Sequence, residues 1–295
     1  MQIRPSPAGT GWNMRDFFCR TAALLLCACV FLGKSAHVSF ADDLTLTEAF
    51  FTQPEQYSGI IDVPGKGPMR YYAQNDPLWG ALAYERSETP SRRPFRDGGC
   101  GPTAGAMAIA NLIPEEKLPV LGKYAKQEYS LCPCSLNRDK CNKRHGRYVL
   151  TTVRDYTRFL PLVFGDFATG NNQFGVSSRS DAQGTATGFL YDVARVYGVS
   201  VTATGDFSEA AAALNRGDTV MAHASRGGAF TNSGHYVLLA NVDGERVYIL
   251  DPLCRTVYKT NQASKLEILQ PGLVAMTLEN YSAANIGTYF IFHRN

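Results

Sequence analysis

The chain has 295 residues, of which 45% are hydrophobic and 19% charged, a composition typical of a globular protein with one large or two small domains. Its formal net charge is +3, from 29 basic and 26 acidic residues. Residues 1–41 hold four of the basic residues and one of the acidic ones, so 25 of each remain beyond them. This balance excludes a general electrostatic attraction to nucleic acid or to an anionic membrane.

The N-terminal segment has the pattern of a secretory signal peptide. Arg15 and Arg20 precede an apolar run at residues 21–33, and small residues follow at the positions expected before a cleavage site. The apolar run is short for a transmembrane helix. We therefore expect residues 1–41 to be removed and the mature protein to be secreted or held at the cell surface, with no membrane span. Lipid modification at Cys29 and a retained signal anchor are the second and third alternatives.

The cysteine count bears on disulfide bonding. Eight cysteines occur, three of them in the signal segment, and the odd number that remains predicts two disulfides and one free thiol, for which Cys100 is the candidate. The four disulfide candidates are Cys132, Cys134, Cys141 and Cys254. Because Cys132 and Cys134 are nearly adjacent, we expect Cys254 to bridge one of the other three. A zinc site that includes His145 is the alternative for the clustered cysteines.

The mature chain is expected to begin with a lead-in at residues 42–68, and the main domain to begin at residue 69. A short aromatic strand at residues 69–73 stops at a polar turn that contains Gln74. Trp79 follows as an apolar anchor, and residues 82–97 predict an exposed loop.

A glycine-rich turn places Cys100 at the start of a predicted helix. Pro102 suits the first helical turn, the residues up to Leu112 are mostly small or apolar, and Pro114 ends the helix. At a helix N-terminus the backbone N–H groups and the helix dipole lower the pKa of a cysteine. The glycines that leave room for another molecule to approach the sulfur are Gly98, Gly99 and Gly101. A buried structural cysteine is the alternative.

The region after this helix is predicted to be largely irregular. A second helix is expected over residues 115–129, and residues 130–184 are expected to form an insertion or lid rather than a separate domain. This insertion carries three of the cysteines and a basic cluster, which we interpret as a solvent-exposed face.

Regular structure is predicted again from residue 187 onward. The expected elements are a helix that ends before Gly198, a strand at residues 199–204, an Ala-rich helix between Asp206 or Ser208 and Gly217, a buried strand at residues 219–222, a Gly/Ser/Asn loop at residues 225–233 and a closing strand at residues 287–292.

Two further strands are predicted at residues 235–241 and 245–250. A two-residue turn between them would direct the side chains of His235 and Asp251 to opposite faces of the sheet. We therefore predict a three-residue loop that ends at a left-handed Gly244, because this loop pairs His235 with Asp251.

Four residues in chain order could together carry out a thiol-dependent hydrolysis. Cys100 is the candidate nucleophile, and His235 is the candidate base that holds it as a thiolate. Asp251 would orient the imidazole through its other nitrogen. The side-chain amide of Gln74 and the backbone N–H of Cys100 would stabilise the oxyanion.

Other residues compete for these roles or support them. Each of the four residues alone also has an ordinary structural interpretation, as a loop residue, a core histidine or a turn. The other candidate bases are His145, His223 and His293. The candidates for contact with the substrate are Gly99, Gly234 and Trp79.

Four motifs at residues 74–79, 99–103, 234–237 and 248–252 together resemble the bacteriocin-processing type of papain-like cysteine peptidases, and in particular their stand-alone secreted relatives. The resemblance covers about residues 69–260. It implies a papain-like α+β fold, with the cysteine at a helix start and the histidine and aspartate on an antiparallel sheet. It also implies hydrolysis of a peptide or amide bond without metal or other cofactor.

The resemblance assigns the role of nucleophile to Cys100, base and then acid to His235, orienting group to Asp251 and oxyanion donor to Gln74. The expected partner is a peptide or protein substrate, and leader-peptide processing during export is not expected. Three alternatives remain open: a cell-wall peptide amidase or acyl transferase of the same fold, a non-catalytic peptide-binding module, and a disulfide-rich structural surface protein.

Overall fold

The structure is a computed structural model that describes residues 57–80, 84, 94–119, 127–130, 147–150, 153–169 and 185–295. The predicted signal peptide, Cys132, Cys134, Cys141 and His145 lie outside these residues.

The described residues contain eleven strands and six α-helices. The strands are β1 (Gly59–Val63), β2 (Gly67–Tyr71), β3 (Gln127–Ser130), β4 (Arg147–Leu150), β5 (Val199–Thr204), β6 (Thr219–Ala224), β7 (His235–Asp243), β8 (Arg246–Leu250), β9 (Glu267–Gln270), β10 (Leu273–Thr277) and β11 (Ile286–Arg294). The helices are α1 (Phe95–Gly98), α2 (Cys100–Leu112), α3 (Val153–Thr169), α4 (Phe189–Tyr197), α5 (Phe207–Arg216) and α6 (Leu278–Ser282).

Seven of the strands form one antiparallel sheet in the order β5-β11-β6-β7-β8-β10-β9. The pairs β1–β2 and β3–β4 form two separate two-stranded sheets. The central strands β7 and β8 are buried over most of their length, since both faces of the sheet are covered. A large antiparallel sheet with a few helices is the predicted α+β class.

Each face of the large sheet packs against its own set of helices. Tyr236, Leu238 and Ala240 of β7 belong to a core cluster with α2, α3 and α4. Val237 and Leu239 point to the opposite face and belong to a second cluster with α5 and α6. The sheet therefore separates two apolar layers, and α2 lies in the first of them.

The helix α2 is buried on almost all sides, as its run of small and apolar residues predicts. Ten of its 13 residues are buried. Gly105 allows α3 to approach closely, since a Cβ at this position would lie 3.3 Å from the ring of Phe164. The helix ends at Leu112, two residues before Pro114, in agreement with the prediction.

The predicted second helix at residues 115–129 is wrong. Residues 115–117 form only a short 3-10 turn, and Gln127–Ser130 is the strand β3. Pro119 lies inside the predicted span, where it removes a backbone donor and clashes with the preceding turn.

Residues 130–184 are also not wholly irregular, because they contain α3, which spans 17 residues and is kinked at Phe159. Leu160, Phe164 and Phe167 of this helix are buried in the first core cluster. The helix was not predicted because Pro161 and Gly165 both disfavour a helix interior. It is part of the domain core rather than part of a lid.

The predicted domain start at residue 69 falls within an element of structure. Residues 67–71 pair with Gly59–Val63, so the hairpin of β1 and β2 begins before that boundary. The elements β9, β10 and α6 were not predicted, and β10 is a direct neighbour of β8.

The helices and strands predicted between Phe189 and Ala224 are confirmed by α4, β5, α5 and β6. Both helices end at a left-handed glycine, Gly198 with φ +67° and Gly217 with φ +90°. Asp206, rather than Ser208, is the N-cap of α5, and its side chain accepts a hydrogen bond from the Ser208 N–H at 2.7 Å.

The hairpin of β7 and β8 differs from the predicted register. Its turn consists of two residues, Gly244 and Glu245, and Gly244 has the predicted positive φ, at 57°. The predicted three-residue loop and the direct pairing of His235 with Asp251 are therefore wrong.

A bulge at Ala240 changes the side-chain alternation within β7. Asn241 lies opposite Tyr248, whereas Leu239 lies opposite Ile249, so Ala240 has no residue opposite it. One extra residue in a strand shifts its alternation by one position relative to the partner strand.

A two-residue turn alone would place the side chains of His235 and Asp251 on opposite faces of the sheet, and the bulge returns them to the same face. If the register at Leu239 continues, Val237 lies opposite Asp251. His235 is two residues from Val237, and it therefore shares a face with Asp251. Their side chains meet diagonally rather than side by side.

The burial of α3 leads to a prediction about stability. We expect Phe164→Ala to lower the free energy of unfolding by about 3–5 kcal/mol, because it leaves a cavity next to α2. The exposed Val153→Ala in the same helix is the control and should change it by less than about 0.5 kcal/mol. Urea unfolding of both variants measures the difference, and equal small effects would contradict a core position for α3.

Candidate active site

Cys100 is the first residue of α2 and follows the single-turn helix α1. Its sulfur accepts hydrogen bonds from the backbone N–H groups of Gly101 and Tyr236, and it is hydrogen-bonded to the side chain of His235. Burial by itself raises the pKa of the Cys100 thiol, but these donors and the positive charge of His235 outweigh it and lower the pKa. The position therefore favours a thiolate, as the helix-start pattern predicts.

His235 and Asp251 form a buried hydrogen bond. The distance from His235 Nε2 to Asp251 Oδ1 is 2.6 Å, and the exposed fractions of the two side chains are 2% and 0%. Because Nε2 is engaged by the carboxylate, Nδ1 is the nitrogen that remains for the sulfur of Cys100. The three side chains thus form one chain of hydrogen bonds.

Each member of this pair changes the pKa of the other. Burial by itself lowers the pKa of His235 and raises that of Asp251, because it penalises the charged form of both groups. Their mutual attraction and their hydrogen bond outweigh this effect of burial, so the pKa of His235 is raised and that of Asp251 is lowered. The pair therefore favours an imidazolium beside a carboxylate.

Gln74 lies next to the turn that precedes Cys100. Its side-chain Nε2 donates to Arg96 O in α1 at 2.6 Å, and its backbone N–H donates to Pro252 O at 2.7 Å. Gln74 is 2% exposed. An amide nitrogen carries two hydrogens. One of them is donated to Arg96 O.

The next residue ties this loop to the segment that follows Asp251. Asn75 Nδ2 donates to Cys254 O, and the Cys254 N–H donates to Asn75 Oδ1, both at 3.0 Å. Together with the bond from Gln74 to Pro252, this pairing fixes the Gln74 loop relative to Asp251.

Asp251 has further partners that the sequence analysis did not identify. Its Oδ2 accepts hydrogen bonds from Tyr258 Oη at 2.6 Å and Arg255 Nη2 at 3.1 Å, and its Oδ1 also accepts from the Leu253 N–H at 2.9 Å. The only sequence signal was their position, since Arg255 and Tyr258 follow the predicted aspartate within seven residues.

The three predicted substrate contacts have different positions in the structure. Trp79 is fully buried, and its Nε1 donates to Ala73 O at 2.8 Å, so it is a structural anchor and the predicted substrate contact is wrong. Gly99 is also buried, and a Cβ there would overlap the ring of Phe95. Gly234 is exposed beside His235, where a substrate can reach it.

The space around the glycines of the Cys100 turn is partly occupied by the chain itself. A Cβ at Gly101 would lie 2.6 Å from the side chain of Thr185. Thr185 is held by the hydroxyls of Tyr84, at 2.7 Å from its Oγ1, and Tyr236, which donates to its carbonyl at 3.2 Å. Gly101 therefore serves close packing rather than substrate access.

The predicted disulfide of Cys254 stays a prediction, because the structure does not describe its three candidate partners. Cys254 is a thiol that is hydrogen-bonded to Tyr71, and burial raises its pKa to about 11. The pairing of its backbone with Asn75 holds the residue against the Gln74 loop, and its side chain packs on the first core cluster. The predicted partners of Cys254 lie outside the described residues, as does the alternative zinc site.

The structure distinguishes among the candidate bases. The half-buried ring of His223 packs on Tyr236, with 4.7 Å between ring centroids, and burial together with the charge of His235 lowers the pKa of His223. His293 is bound instead to Asp218 and Thr202. His235 is the one that reaches Cys100, and His145 lies outside the described residues.

Within the described part of the chain, no cluster of three or more His, Cys, Asp or Glu side chains has the geometry to hold a metal ion. None of the described helices combines the length and the hydropathy that a membrane span requires.

The difference between the two described thiols leads to a prediction. At a pH below the usual range of a cysteine pKa, iodoacetamide should alkylate Cys100 much faster than Cys254, because the pKa of Cys100 is lowered and that of Cys254 is raised to about 11. Peptide mapping by mass spectrometry identifies the labelled residue. In His235→Ala, labelling of Cys100 should require a higher pH. Preferential labelling of Cys254 would contradict the assignment.

Comparisons with known proteins bear on the same region. The family model described as the Peptidase_C39 like family matches residues 68–270. Among solved structures, the chain is similar to the crystal structure of a double glycine motif protease from an AMS/PCAT transporter in complex with the leader peptide, at 19% sequence identity. That match covers 48% of this chain and 78% of the other, with a TM-score of 0.28. No curated protein matches the chain.

Proposed function

Because the chain belongs to the Peptidase_C39 like family, we propose that it is a cysteine peptidase with a triad of Cys100, His235 and Asp251. The family has the papain-like α+β fold, in agreement with the predicted fold class. The observation that carries the proposal is the continuous set of hydrogen bonds from the Cys100 sulfur through His235 to Asp251. A lowered thiol pKa, a base at hydrogen-bond distance and a buried orienting carboxylate are the three requirements of this chemistry.

The first half of the reaction is acylation. The Cys100 thiolate attacks the carbonyl carbon of the scissile bond, and the negative charge moves to the carbonyl oxygen. The Cys100 N–H and the second N–H of Gln74 Nε2 donate to this oxyanion. When the tetrahedral intermediate collapses, the His235 imidazolium gives its proton to the departing amine, and a thioester remains on Cys100.

The second half is deacylation by water. His235, now neutral, removes a proton from the attacking water, and the hydroxide adds to the thioester carbonyl. Collapse of this intermediate releases the carboxylic acid and restores the thiolate–imidazolium pair. Asp251 remains ionised throughout, because its hydrogen bonds and the charge of His235 keep its pKa low.

The proposed substrate is a peptide or protein outside the cell. The support for this location is the signal-peptide pattern at residues 1–41. The exposed Gly234, next to the buried His235, marks the side from which the substrate approaches.

Removal of the nucleophile tests the proposed activity. Cys100→Ala should abolish hydrolysis of a fluorogenic peptide library, because no other described thiol contacts His235. Cys254→Ser is the matched control and should retain most of the turnover. Hydrolysis that survives in Cys100→Ala, or equal losses in both variants, would refute the proposal. A purified protein that binds peptides without cleaving them would indicate the non-catalytic module instead.

If Gln74 is an oxyanion donor, its loss should impair peptide hydrolysis but not the reactivity of the Cys100 thiol. Gln74→Ala should lower kcat for peptide hydrolysis by roughly 100- to 1,000-fold, because one oxyanion donor is lost. Alkylation of Cys100 by iodoacetamide should change little, since that reaction forms no oxyanion. The exposed Gln270→Ala is the control. Equal losses in hydrolysis and alkylation would assign Gln74 a structural role only.

A further inference from the structure

The carboxylate of Asp251 is held on both of its oxygens. Oδ1 accepts from His235 Nε2 and the Leu253 N–H, and Oδ2 accepts from Tyr258 Oη and Arg255 Nη2. The side chain is fully buried, so no water replaces these donors. All four lone-pair positions of the carboxylate are therefore occupied by the chain itself.

Two of these donors limit how the carboxylate can rotate. With His235 and Leu253 alone, Asp251 could turn about its last side-chain bond and present a different oxygen or angle to the imidazole. The bond of 2.6 Å to Tyr258 and the bond of 3.1 Å to Arg255 hold Oδ2 on the far side. The carboxylate plane is thereby fixed with Oδ1 toward His235.

The same two side chains also hold the loop that leads into His235. Arg255 Nη2 donates to Phe230 O at 2.9 Å, and its guanidinium lies 4.1 Å from the ring centroid of Tyr258. The centroid of the Phe230 ring lies 6.0 Å from the centroid of the His235 ring and 6.2 Å from that of the Tyr258 ring. Arg255 and Tyr258 therefore hold both Asp251 and the loop that leads into His235.

Arg255 also completes the charge balance of the site. A thiolate at Cys100 and a carboxylate at Asp251 face an imidazolium at His235 and a guanidinium at Arg255, two charges of each sign. A buried group of charges is tolerated when it is paired and hydrogen-bonded. The other titratable groups around Asp251, which are Tyr71, Tyr258 and Cys254, all have raised pKa values and are neutral near pH 7.

We propose that Arg255 and Tyr258 are positioning residues of the active site, which hold Asp251 and the Phe230 loop so that His235 stays aligned with Cys100. This inference rests on the proposed cysteine peptidase function. Neither residue touches the reacting atoms, so both act through Asp251.

The test uses the full chain and four variants: Tyr258→Phe, Arg255→Gln, Arg255→Lys and the control Tyr289→Phe. The hydroxyl of Tyr289 donates to Ile286 O, so the control removes a tyrosine hydroxyl from the same core cluster without touching Asp251. Two quantities are measured: kcat and KM for a cleaved peptide, and the pH at which alkylation of Cys100 by iodoacetamide reaches half its maximal rate.

Tyr258→Phe should lower kcat by roughly 10- to 100-fold with KM unchanged, because a hydrogen bond to a charged group is lost. Arg255→Gln should move the alkylation midpoint to higher pH, because Asp251 loses a charged donor that holds it toward His235, and a less well aligned His235 stabilises the Cys100 thiolate less. Arg255→Lys keeps the charge and should keep the midpoint near that of the unmodified protein. It also serves as the charge-retaining variant if Arg255→Gln does not fold.

The proposal is overturned if Tyr258→Phe loses no more kcat than Tyr289→Phe, or if neither Arg255 variant changes the alkylation midpoint or kcat. Alkylation of the unmodified protein separates this failure from failure of the proposed function. If Cys100 of the unmodified protein reacts at low pH and peptides are cleaved, only the positioning role is refuted. If Cys100 is unreactive and no peptide is cleaved, the cysteine peptidase proposal itself fails.

Discussion

The hydrogen bond between His235 and Asp251 joins two groups that could not be buried as charges without each other. Removing one partner of such a pair leaves an uncompensated charge, at a cost of several kcal/mol. The 2.6 Å distance and the complete burial of both side chains place the pair in this class. The turn, bulge and loops around it are all arranged so that the two side chains meet, and Cys100 depends on the pair for its lowered pKa.

The site joins residues from both faces of the large sheet. Cys100 packs on the core cluster of α2 and α3, whereas His235 and Asp251 share the opposite face of the sheet. His235 is the first residue of β7, and from this edge of the strand its imidazole reaches the sulfur. The chain ties its loops together at the same place, since Asn75 pairs with Cys254 and Arg255 holds the loop at Phe230.

Much of this arrangement follows from local sequence. Pro102 and Pro114 set the limits of the helix that starts at Cys100, and Gly198 and Gly217 end two further helices, because each of these residues restricts or permits a particular backbone conformation within a few positions. The Gln74, Cys100, His235 and Asp251 motifs were also recognisable in order. Apart from the predicted pairing of His235 with Asp251, their proximity in space was inferred only from the family resemblance. The structure places Gln74 beside the Cys100 turn.

The sequence by itself determined the helix that begins at Cys100 and the identities of the candidate site residues, because these depend on short-range backbone preferences and on side-chain chemistry. Tertiary structure alone decided the bulge at Ala240, the core position of α3 and the pairing of Cys254 with the Gln74 loop. A bulge has no compositional signal and is selected by how both faces of the strand pack. The helix α3 accommodates Pro161 with a kink at Phe159, and its buried side chains hold it in the core. The support of Asp251 by Arg255 and Tyr258 likewise exists only once the chain has folded back on itself.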